Sequence, residues 1–374
     1  MKKILFLFGT RPEAIKMAPL VKTFCLDFNF TVKVGVTAQH REMLDQVLDF
    51  FKIDVDYDLN IMKPNQSLHE LTSGLILKIT EDILNKEDFD YVFLQGDTTT
   101  VLAGALASFY KKIKVIHIEA GLRSHDIYSP FPEEMNRILT SKIAHIHFCP
   151  TQTAADNLDR EDLKNNVFVV GNTVIDALLL GLDEIKNSSE SNLINKYSNI
   201  DFNKKIILVT CHRRENFGKP FEEICDALLE ISDSFKETIQ IVYPVHLNPN
   251  IMKIAHEKLT RDNIKLISPL DYPDLIWMMN HSNLILTDSG GIQEEAPSLG
   301  KPVLVLREIT ERMEGVEAGT AILVGSNKEK IVAETSMLLL DDSYYSKISK
   351  AVNPYGDGTT SEKIKEIILA NDCY

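Results

Sequence analysis

The sequence predicts an α/β protein built from two doubly wound domains, each with a mostly parallel sheet. Short apolar segments alternate with longer amphipathic segments along almost the whole chain. The apolar segments are continuous rather than alternating, which is typical of strands buried on both faces of a parallel sheet. A length of 374 residues favours two domains, since one hydrophobic core rarely extends past roughly 250–300 residues.

In the first half, the strand candidates are short runs rich in Val, Ile, Leu and Phe. They lie at 3–8, 31–36, 90–95, 114–118, 145–149 and 167–170. Amphipathic helices are expected between them, at 12–27, 40–51, 67–85, 98–111, 133–143 and 152–160. This alternation of strand and helix indicates an open, doubly wound sheet.

The second half repeats the same order of elements. Its strands are expected at 205–210, 239–243, 264–267, 284–287, 302–306 and 321–324. Its helices are expected near 220–235, 249–260, 272–281, 291–299 and 327–340. The repeated order predicts a second domain of the same class.

We place the domain boundary near Gly171, giving an N-terminal domain over 1–170 and a C-terminal domain over 171–355. A polar connection is expected soon afterwards, at 187–192. A last helix, at about 356–374, is expected to cross back onto the first domain. Two facing domains of this type place a ligand cleft at the carboxyl ends of both sheets.

Charge and cysteine content exclude several classes of protein. The formal net charge of −14 argues against a general nucleic-acid binder, because such binding depends on Lys and Arg side chains that neutralise phosphates. The five cysteines are scattered without a CxxC pair, which argues against a disulfide framework or a zinc knuckle. Cys211 is either a nucleophile beside His212 or a small apolar residue ending a buried strand, and the second interpretation is favoured.

Targeting and cofactor signals are missing from the sequence. The apolar run Ile4–Phe8 is too short for a signal peptide, and no stretch approaches the roughly 18 apolar residues of a membrane span. We therefore expect a cytoplasmic protein without a membrane partner. No GxGxxG motif, P-loop or metal-type spacing of His and Asp occurs, so neither a nicotinamide cofactor nor a metal is expected.

Strand ends in the first half carry charged motifs. The first strand ends in Gly9-Thr10-Arg11-Pro12; Arg11 and Lys16 flank a helix start, which is either an anion site or a plain turn with surface charges. Asp97 and Glu119 follow successive strands, so their carboxylates can converge, although Asp97 could instead cap a helix. Glu133 and Arg137 are spaced for a surface ion pair at i, i+4.

Strand ends in the second half carry donors. The strand at 205–210 is followed by Cys211-His212-Arg213-Arg214, which indicates a polyanion site with His212 as an acid–base candidate. The strand at 284–287 is followed by Asp288-Ser289-Gly290-Gly291, where paired glycines allow the backbone to approach a phosphate. Glu295 could reach a ribose, and Arg312 offers a further cation.

Taken together, these motifs resemble the bacterial non-hydrolysing UDP-N-acetylglucosamine (UDP-GlcNAc) 2-epimerases. The resemblance spans almost the whole chain in the family's motif order. It is carried by Gly9–Glu13, Gln39–Arg41, Gly96–Thr98, Glu119–Arg123, Pro132–Arg137, His212–Asn216, Thr287–Glu295 and Glu311-Arg312.

The resemblance implies a glycosyltransferase-B-like fold, with two Rossmann-like domains around a central cleft. It implies that UDP is held by Arg11, Lys16, His212, Ser289, Gly290, Gly291 and Arg312, with Glu295 on the ribose. It also implies that Asp97, Glu119 and Glu133 are the acid–base candidates. Leu270 and Leu275 stand where the family often has Gln and an aromatic residue near the uracil.

Several family members bind a second UDP-GlcNAc as an activator. Gln39, Arg214 and His246 match that second site, whereas Glu42 and Asn65 replace its usual Gln and Arg. The resemblance further implies a homodimer without a cofactor.

The implied reaction is reversible epimerisation at C2, from UDP-GlcNAc to UDP-N-acetylmannosamine (UDP-ManNAc). It proceeds by loss of UDP to 2-acetamidoglucal and re-addition, and supplies units for cell-surface polysaccharide. The alternatives are a hydrolysing epimerase, a UDP-sugar-dependent glycosyltransferase of the same fold, and a catalytically silent UDP-sugar sensor.

Overall fold

We describe the protein from a computed structural model, which describes residues 1–38, 41–62, 66–188 and 190–371. The chain forms two compact units: Met1–Leu180 together with the chain from Tyr355 onward, and Gly181–Pro354. Each unit is a parallel sheet with helices packed on it, so the predicted α/β class is confirmed. The domain boundary expected at Gly171 stays a prediction.

The strands follow the predicted apolar runs closely, except for the two-residue β3, which was not predicted. They are β1 (Lys2–Phe8), β2 (Phe30–Val36), β3 (Tyr57–Asp58), β4 (Tyr91–Gln95), β5 (Lys114–Ile118), β6 (Ile146–Cys149), β7 (Val167–Val169), β8 (Lys205–Thr210), β9 (Ile239–Pro244), β10 (Ile264–Ile267), β11 (Leu284–Thr287), β12 (Val303–Val305) and β13 (Ala321–Leu323).

The helices lie between these strands. They are α1 (Arg11–Cys25), α2 (Arg41–Phe51), α3 (Leu68–Ile79), α4 (Thr99–Tyr110), α5 (Glu133–Ile143), α6 (Gln152–Arg160), α7 (Thr173–Ser188), α8 (Glu190–Lys196), α9 (Lys219–Ser234), α10 (Pro249–Lys258), α11 (Tyr272–His281), α12 (Gly290–Glu295), α13 (Met313–Glu317), α14 (Lys328–Leu340), α15 (Asp342–Ser349) and α16 (Thr360–Asn371). A π-helical turn, Thr80–Leu84, continues α3, and 3-10 turns lie at Arg214–Asn216 and Ala296–Leu299.

The described residues of the first unit form a seven-stranded sheet in the order β3-β2-β1-β4-β5-β6-β7. Its interior strand β1 is fully buried from Ile4 to Phe8, because helices cover both faces of a parallel sheet. The strand order reverses between β1 and β4. Such a reversal opens a crevice at the carboxyl ends of the two strands, where ligands bind in doubly wound folds.

The second unit repeats this arrangement. Its described strands form a six-stranded sheet in the order β10-β9-β8-β11-β12-β13, and the order reverses between β8 and β11. These two strands are parallel, with Thr210 beside Thr287 at their carboxyl ends and the two hydroxyls 2.6 Å apart. The crevice of this unit therefore opens next to the motifs that begin at Cys211 and Asp288.

Helices α7 and α8 occupy the stretch where a polar connection was expected. Of the described polar residues there, Asn187 and Ser188 end α7, and residues 190–192 begin α8. Burial of Ile185 and Leu193 stabilises helical structure there, since tertiary packing overrides weak local propensity. In the first unit, α16 packs against α1, and Asp176 of α7 accepts hydrogen bonds from the backbone N–H groups of Thr360 (3.3 Å) and Ser361 (2.7 Å).

Across the described residues, none of the helices combines the length and the apolar composition needed to cross a bilayer.

Candidate active site

The turn after β1 is fixed by a buried carboxylate. Glu13, in the first turn of α1, accepts hydrogen bonds from the backbone N–H groups of Gly9 (3.1 Å) and Thr10 (2.7 Å). Its other oxygen accepts a hydrogen bond of 2.8 Å from the Thr98 hydroxyl. Burial raises the pKa of Glu13 even though these donors act to lower it. One side chain thus ties the turn after β1 to the turn after β4.

Glu119 follows β5 directly and is surrounded by donors. The ammonium group of Lys16 lies 2.6 and 2.7 Å from its two carboxylate oxygens. The side-chain amides of Gln95 and Asn172 also donate to it, the latter at 3.1 Å. With a side chain only 6% exposed, the carboxylate depends on these partners. A cation and two amide donors favour its ionised form.

The backbone around Glu119 is unusual. Its φ angle is 61°, a left-handed conformation that is uncommon for residues other than glycine and costs on the order of 1–3 kcal/mol. Two residues later, Gly121 has a φ of 88°, and a Cβ atom there would lie 2.1 Å from the carbonyl oxygen of Ala154. The carboxylate is therefore held by a segment that requires glycine and packs against α6.

Asp97 follows β4 and lies beside a cation. Arg137 of α5 donates to its carboxylate at 2.6 Å, and the amide of Asn136 donates to its backbone carbonyl at 2.9 Å. The pKa of Asp97 is raised, and burial is the largest cause. The charge of Arg137 acts to lower the pKa, the charge of Glu119 to raise it, and smaller effects come from Lys16, which lowers it, and Glu133, which raises it. Mutual charge effects of this kind place these groups in one site at the sheet's edge.

The capping alternative for Asp97 is wrong. The N-cap of α4 is Thr98, whose hydroxyl accepts a hydrogen bond of 3.4 Å from the backbone N–H of Val101. The carboxylate of Asp97 therefore does not cap the helix and contacts Arg137 instead.

Glu133 is the first residue of α5, and its expected i, i+4 ion pair with Arg137 is wrong. Arg137 turns to Asp97 and lies 3.4 Å from Glu134. Glu134 is buried and accepts hydrogen bonds from the backbone N–H groups of Ser124 and His125. In contrast, the Oε2 atom of Glu133 is buried without a hydrogen-bond partner among the described residues, so this carboxyl is available for chemistry.

Two buried histidines lie below this carboxylate cluster in the sheet. His117 of β5 and His147 of β6 are neighbours in register. A ring nitrogen of His117 lies 2.8 Å from the carbonyl oxygen of Gly96, which directly precedes Asp97. Burial lowers the pKa of His117 to about 4 and that of His147 to about 3. Both rings are therefore neutral at pH 7 and serve as packed, uncharged supports.

In the second unit, His212 follows β8 and lies against a buried aspartate. Its Nδ1 atom is 3.2 Å from Oδ1 of Asp288, which follows β11. The imidazole is 44% exposed and stacks on the ring of His246, with centroids 5.8 Å apart. The nitrogen of His212 that faces away from Asp288 is thus the one available to a ligand.

The start of α12 lies against Arg312. A Cβ atom at Gly290 would be 3.4 Å from the guanidinium carbon of Arg312, so glycine permits this close approach. The guanidinium also donates to Glu294 at 2.8 Å and to Glu311 at 3.0 Å. Ser289 is the N-cap residue of α12 but its side chain makes no capping hydrogen bond, and Gly291 is exposed. A guanidinium group, a hydroxyl group and an exposed glycine backbone thus lie together after β11.

Residues assigned to the nucleoside lie near by in the fold. Glu295 ends α12 and is buried; the Tyr272 hydroxyl donates to it at 3.3 Å. Leu275 lies in the first turn of α11, and Leu270 precedes that helix by two residues; both are half-buried. Arg11, the first residue of α1 in the other unit, is also half-buried.

The second-site candidates are surface residues where the structure describes them. Glu42 lies on α2, Arg214 begins a 3-10 turn, and His246 follows β9; all three are exposed. Gln39 and Asn65 lie outside the described residues. Nothing in these positions tests binding of a second substrate molecule, which stays a prediction.

Within the described ranges, no group of three or more His, Cys, Asp and Glu side chains is arranged to hold a metal ion. Sequence reasoning missed several partners of the site: Gln95, Asn172, Arg137 as the partner of Asp97, and Asp288 as the partner of His212. A signal existed for two of them. Asn172 and Asp288 are polar residues placed within three positions of a strand end, as Glu119 is.

The family of the chain follows from comparison with known proteins. A family model described as UDP-N-acetylglucosamine 2-epimerase matches residues 26–369. The chain belongs to the UDP-N-acetylglucosamine 2-epimerase family. The resemblance expected from the strand-end motifs is therefore confirmed, as is the prediction of an isomerase.

Individual relatives cover the full length of the chain. The UDP-N-acetylglucosamine 2-epimerase of Escherichia coli (strain K12) is 55% identical over 373 residues, and the match covers 99% of each chain. The UDP-GlcNAc 2-epimerase of Neisseria meningitidis, solved with UDP-GlcNAc bound, matches with a TM-score of 0.87 and 49% identity over 98% of this chain and 100% of the other.

A third similar protein, S. aureus MnaA solved with UDP, has a TM-score of 0.83 and 49% identity over 99% of this chain and 97% of its own. These structural neighbours confirm the glycosyltransferase-B-like fold class.

Proposed function

We propose that the protein interconverts UDP-GlcNAc and UDP-ManNAc by eliminating UDP and adding it back. The observation that carries this proposal is the group of three carboxyl side chains, Asp97, Glu119 and Glu133, beside two cations after β4 and β5. Binding of UDP alone does not need such a group. Reversible movement of a proton does.

The chemistry explains why the leaving group comes first. The hydrogen on C2 has no neighbouring carbonyl and is not acidic. When the bond between C1 and the UDP oxygen breaks, its electron pair leaves with UDP and C1 becomes cationic. Loss of the C2 proton then forms the C1=C2 double bond of 2-acetamidoglucal. In the second half, UDP re-adds at C1 while a proton arrives on the opposite face of C2.

Two carboxyl groups in opposite protonation states are required, and the first unit supplies them. Glu119 is held by Lys16 and two amide donors, which suit an ionised base. The pKa of Asp97 is raised, by burial above all, although the charge of Arg137 acts to lower it. On this difference in surroundings we assign Glu119 as the base and Asp97 as the proton donor, since unlike environments separate the pKa values of paired carboxyl groups. The roles exchange in the reverse direction.

Glu133 completes the assignment. Its buried, unpartnered Oε2 atom, judged over the described residues, lies in the charge environment of Asp97. We assign it to the sugar, as a second acceptor or donor beside the reacting carbon. Buried polar atoms without partners are rare in native structures and call for a functional explanation.

The UDP-binding role is assigned to the donors predicted from the resemblance. His212, Ser289, Gly290, Gly291 and Arg312 supply N–H groups, a hydroxyl and positive charge. Charge that builds on the departing diphosphate is stabilised by such preorganised donors, and losing one typically lowers the rate by about 10²–10³. Arg11 and Lys16 add positive charge in the first unit, and Glu295 is assigned to the ribose.

One experiment separates this function from its rivals. The protein is incubated with UDP-GlcNAc in D₂O and the products are followed by NMR. Deuterium at C2 of sugar still attached to UDP supports the proposal. Free sugar with UDP indicates a hydrolysing epimerase, and absence of any exchange indicates a glycosyltransferase lacking its acceptor or a sensor.

The finer expectations remain predictions. They are the homodimer, the cytoplasmic location, activation by a second substrate molecule and a supply role in cell-surface polysaccharide synthesis.

A further inference from the structure

Asp288 is the most deeply buried carboxylate near the donor residues of the second unit. Its side chain has no exposed surface. The Oδ2 atom accepts hydrogen bonds from the backbone N–H groups of His212 and Arg213, both at 2.8 Å, and from the Asn216 amide at 3.0 Å. Three donors on one oxygen saturate it.

The other oxygen has a single task. Oδ1 of Asp288 lies 3.2 Å from Nδ1 of His212 as an ion-pair contact, and it has no hydrogen-bond partner among the described residues. The thiol of Cys211 also lies beside this carboxylate, whose charge contributes, after burial, to raising the pKa of Cys211. The two oxygens thus have different contacts: Oδ2 accepts hydrogen bonds from the turn after β8, and Oδ1 contacts the imidazole.

The charge state of Asp288 supports this division. Burial acts to raise its pKa, but the imidazole of His212 and the backbone N–H groups of Arg213 and His212 outweigh it and lower the pKa to about 2. An ionised carboxylate can accept a hydrogen bond but cannot donate one. The imidazole nitrogen that faces it must therefore carry hydrogen.

We propose that Asp288 is a positioning residue that fixes the hydrogen of His212 on Nδ1 and confines proton exchange to Nε2. The inference rests on the proposed function, in which His212 acts on the departing diphosphate. When protonated, Nε2 donates to a phosphate oxygen; when deprotonated, it can take a proton back. A carboxylate that orients an imidazole in this way is a recurrent catalytic arrangement.

A second contact supports a fixed ring orientation. The ring of His246 stacks on His212 at an interplanar angle of 23°, and its Nδ1 atom accepts a hydrogen bond of 3.1 Å from the backbone N–H of Asn248. The imidazole of His212 is thus bounded by an aromatic face and by a carboxylate. A half-turn flip of the ring would lose the contact with the carboxylate, and any smaller rotation would also disturb the stacking.

The competing explanation is that Asp288 only clamps the turn from His212 to Asn216. Asp288→Asn distinguishes the two. The amide oxygen must replace Oδ2, because three donors point there, and the clamp survives. The amide nitrogen then faces Nδ1 of His212 with its own hydrogens, so Nδ1 must become an acceptor. The hydrogen of the neutral ring therefore moves to Nε2. A protonated ring would carry hydrogen on Nδ1 as well, and that N–H would repel the N–H of the new amide.

The first measurement is ¹⁵N NMR of the imidazole, with the His212 signals assigned from their loss in His212→Asn. In the wild-type protein, the neutral ring should show its N–H signal at Nδ1; in Asp288→Asn, at Nε2. A neutral wild-type ring with hydrogen on Nε2 overturns the proposal. This measurement needs no turnover, and the wild-type result does not depend on Asp288→Asn, so it remains valid even if wild-type protein fails to exchange deuterium and the proposed function falls.

The second measurement is turnover. By analogy with other aspartate–histidine pairs, kcat in Asp288→Asn should fall by roughly 10²–10⁴, with affinity for UDP changed by less than about tenfold. Asp176→Asn is the matched control, since Asp176 is also buried and accepts two backbone N–H groups but faces no imidazole. Equal turnover in the two variants would show that Asp288 is only a clamp.

Discussion

The two units share one sheet topology but use their strand ends in opposite ways. In the first unit, carboxylates face the site and cations or amides support them, as Lys16 supports Glu119 and Arg137 supports Asp97. In the second unit, donors follow the strand ends and a buried carboxylate contacts them, as Asp288 contacts His212. In the function that we propose, the same fold provides proton transfer in one unit and anion binding in the other, and the residues that follow each strand decide which.

The largest effect is expected from removing one carboxylate of the first unit. Asp97→Asn should lower kcat by roughly 10²–10⁴, the usual contribution of a positioned acid–base group. UDP binding should persist, because its donors lie elsewhere. Exchange of the C2 hydrogen and calorimetric titration with UDP measure the two effects.

Asp90→Asn provides the control for that variant. Asp90 lies at the opposite end of β4 and accepts a hydrogen bond from the backbone N–H of Lys3. Unaltered turnover in Asp97→Asn would remove this carboxyl from the mechanism and would weaken the contrast between the units.

The units should also differ in their response to acid. His117 and His147 have pKa values lowered to about 4 and about 3, below the value of 6.5 in the unfolded chain. Folding binds fewer protons at these sites, so stability is present above pH 6.5 and is lost as the pH falls. For His117 alone the loss approaches about 3 kcal/mol by pH 4.

Asp288 contributes to stability over a lower range of pH. Its pKa falls from 3.8 to about 2, so its stabilisation is lost only as the pH falls from about 4 to 2. Denaturant unfolding between pH 7 and 4 measures the difference. His117→Gln should flatten the pH dependence over that range, whereas Gln in place of the exposed His69 should not. Equal slopes in all three proteins would contradict this assignment.

A smaller effect is expected from Asn172. Its Oδ1 atom accepts a hydrogen bond from the backbone N–H of Val174 at 3.1 Å, while its amide donates to Glu119. Asn172→Asp keeps the acceptor and replaces the donor with a like charge. Turnover should fall by about tenfold, a cost of roughly 1–2 kcal/mol, and the acidic limb of the pH–rate profile should move to higher pH.

Asn166→Asp, on the loop before β7, is the matched substitution for that test. If both variants behave alike, the amide of Asn172 does not support Glu119 in catalysis.

The smallest effect tests the second unit. Ala at Gly290 would place its Cβ atom 3.4 Å from the guanidinium carbon of Arg312, so the guanidinium must shift by a few tenths of an ångström. We expect KM to rise by about threefold, or roughly 0.6 kcal/mol, with little change in kcat. Gly291→Ala meets only an ordinary contact, 3.7 Å from Glu295, and should change KM less. A larger change at Gly291 would place the close approach elsewhere.

The sequence predicted the sheets and the strand ends well, because those depend on local apolar runs and on motifs read one strand at a time. It could not predict which side chains meet across the fold. Arg137 was expected to pair with Glu133, four residues away, yet it pairs with Asp97, because α5 packs against α4, the helix that follows the turn carrying Asp97. The support of His212 by Asp288 likewise depends on β8 and β11 being neighbours.

Local cues were also ambiguous where two residues compete for one role. Asp97 and Thr98 are both good helix caps, and only the backbone geometry shows that Thr98 takes the position. Helix α7 escaped prediction because its polar C-terminal end resembles a linker, and burial of Ile185 decides its structure.

The crowding at Gly121 makes the enzyme sensitive to substitution at a residue that has no side chain to bind a ligand. Any side chain there would have to displace α6 from the end of β5, and the carboxylate two residues earlier would move with it. Random mutagenesis should therefore yield null alleles at this glycine as readily as at Glu119 itself. A map of tolerated substitutions would mark both positions as intolerant, although only one of them carries a carboxylate.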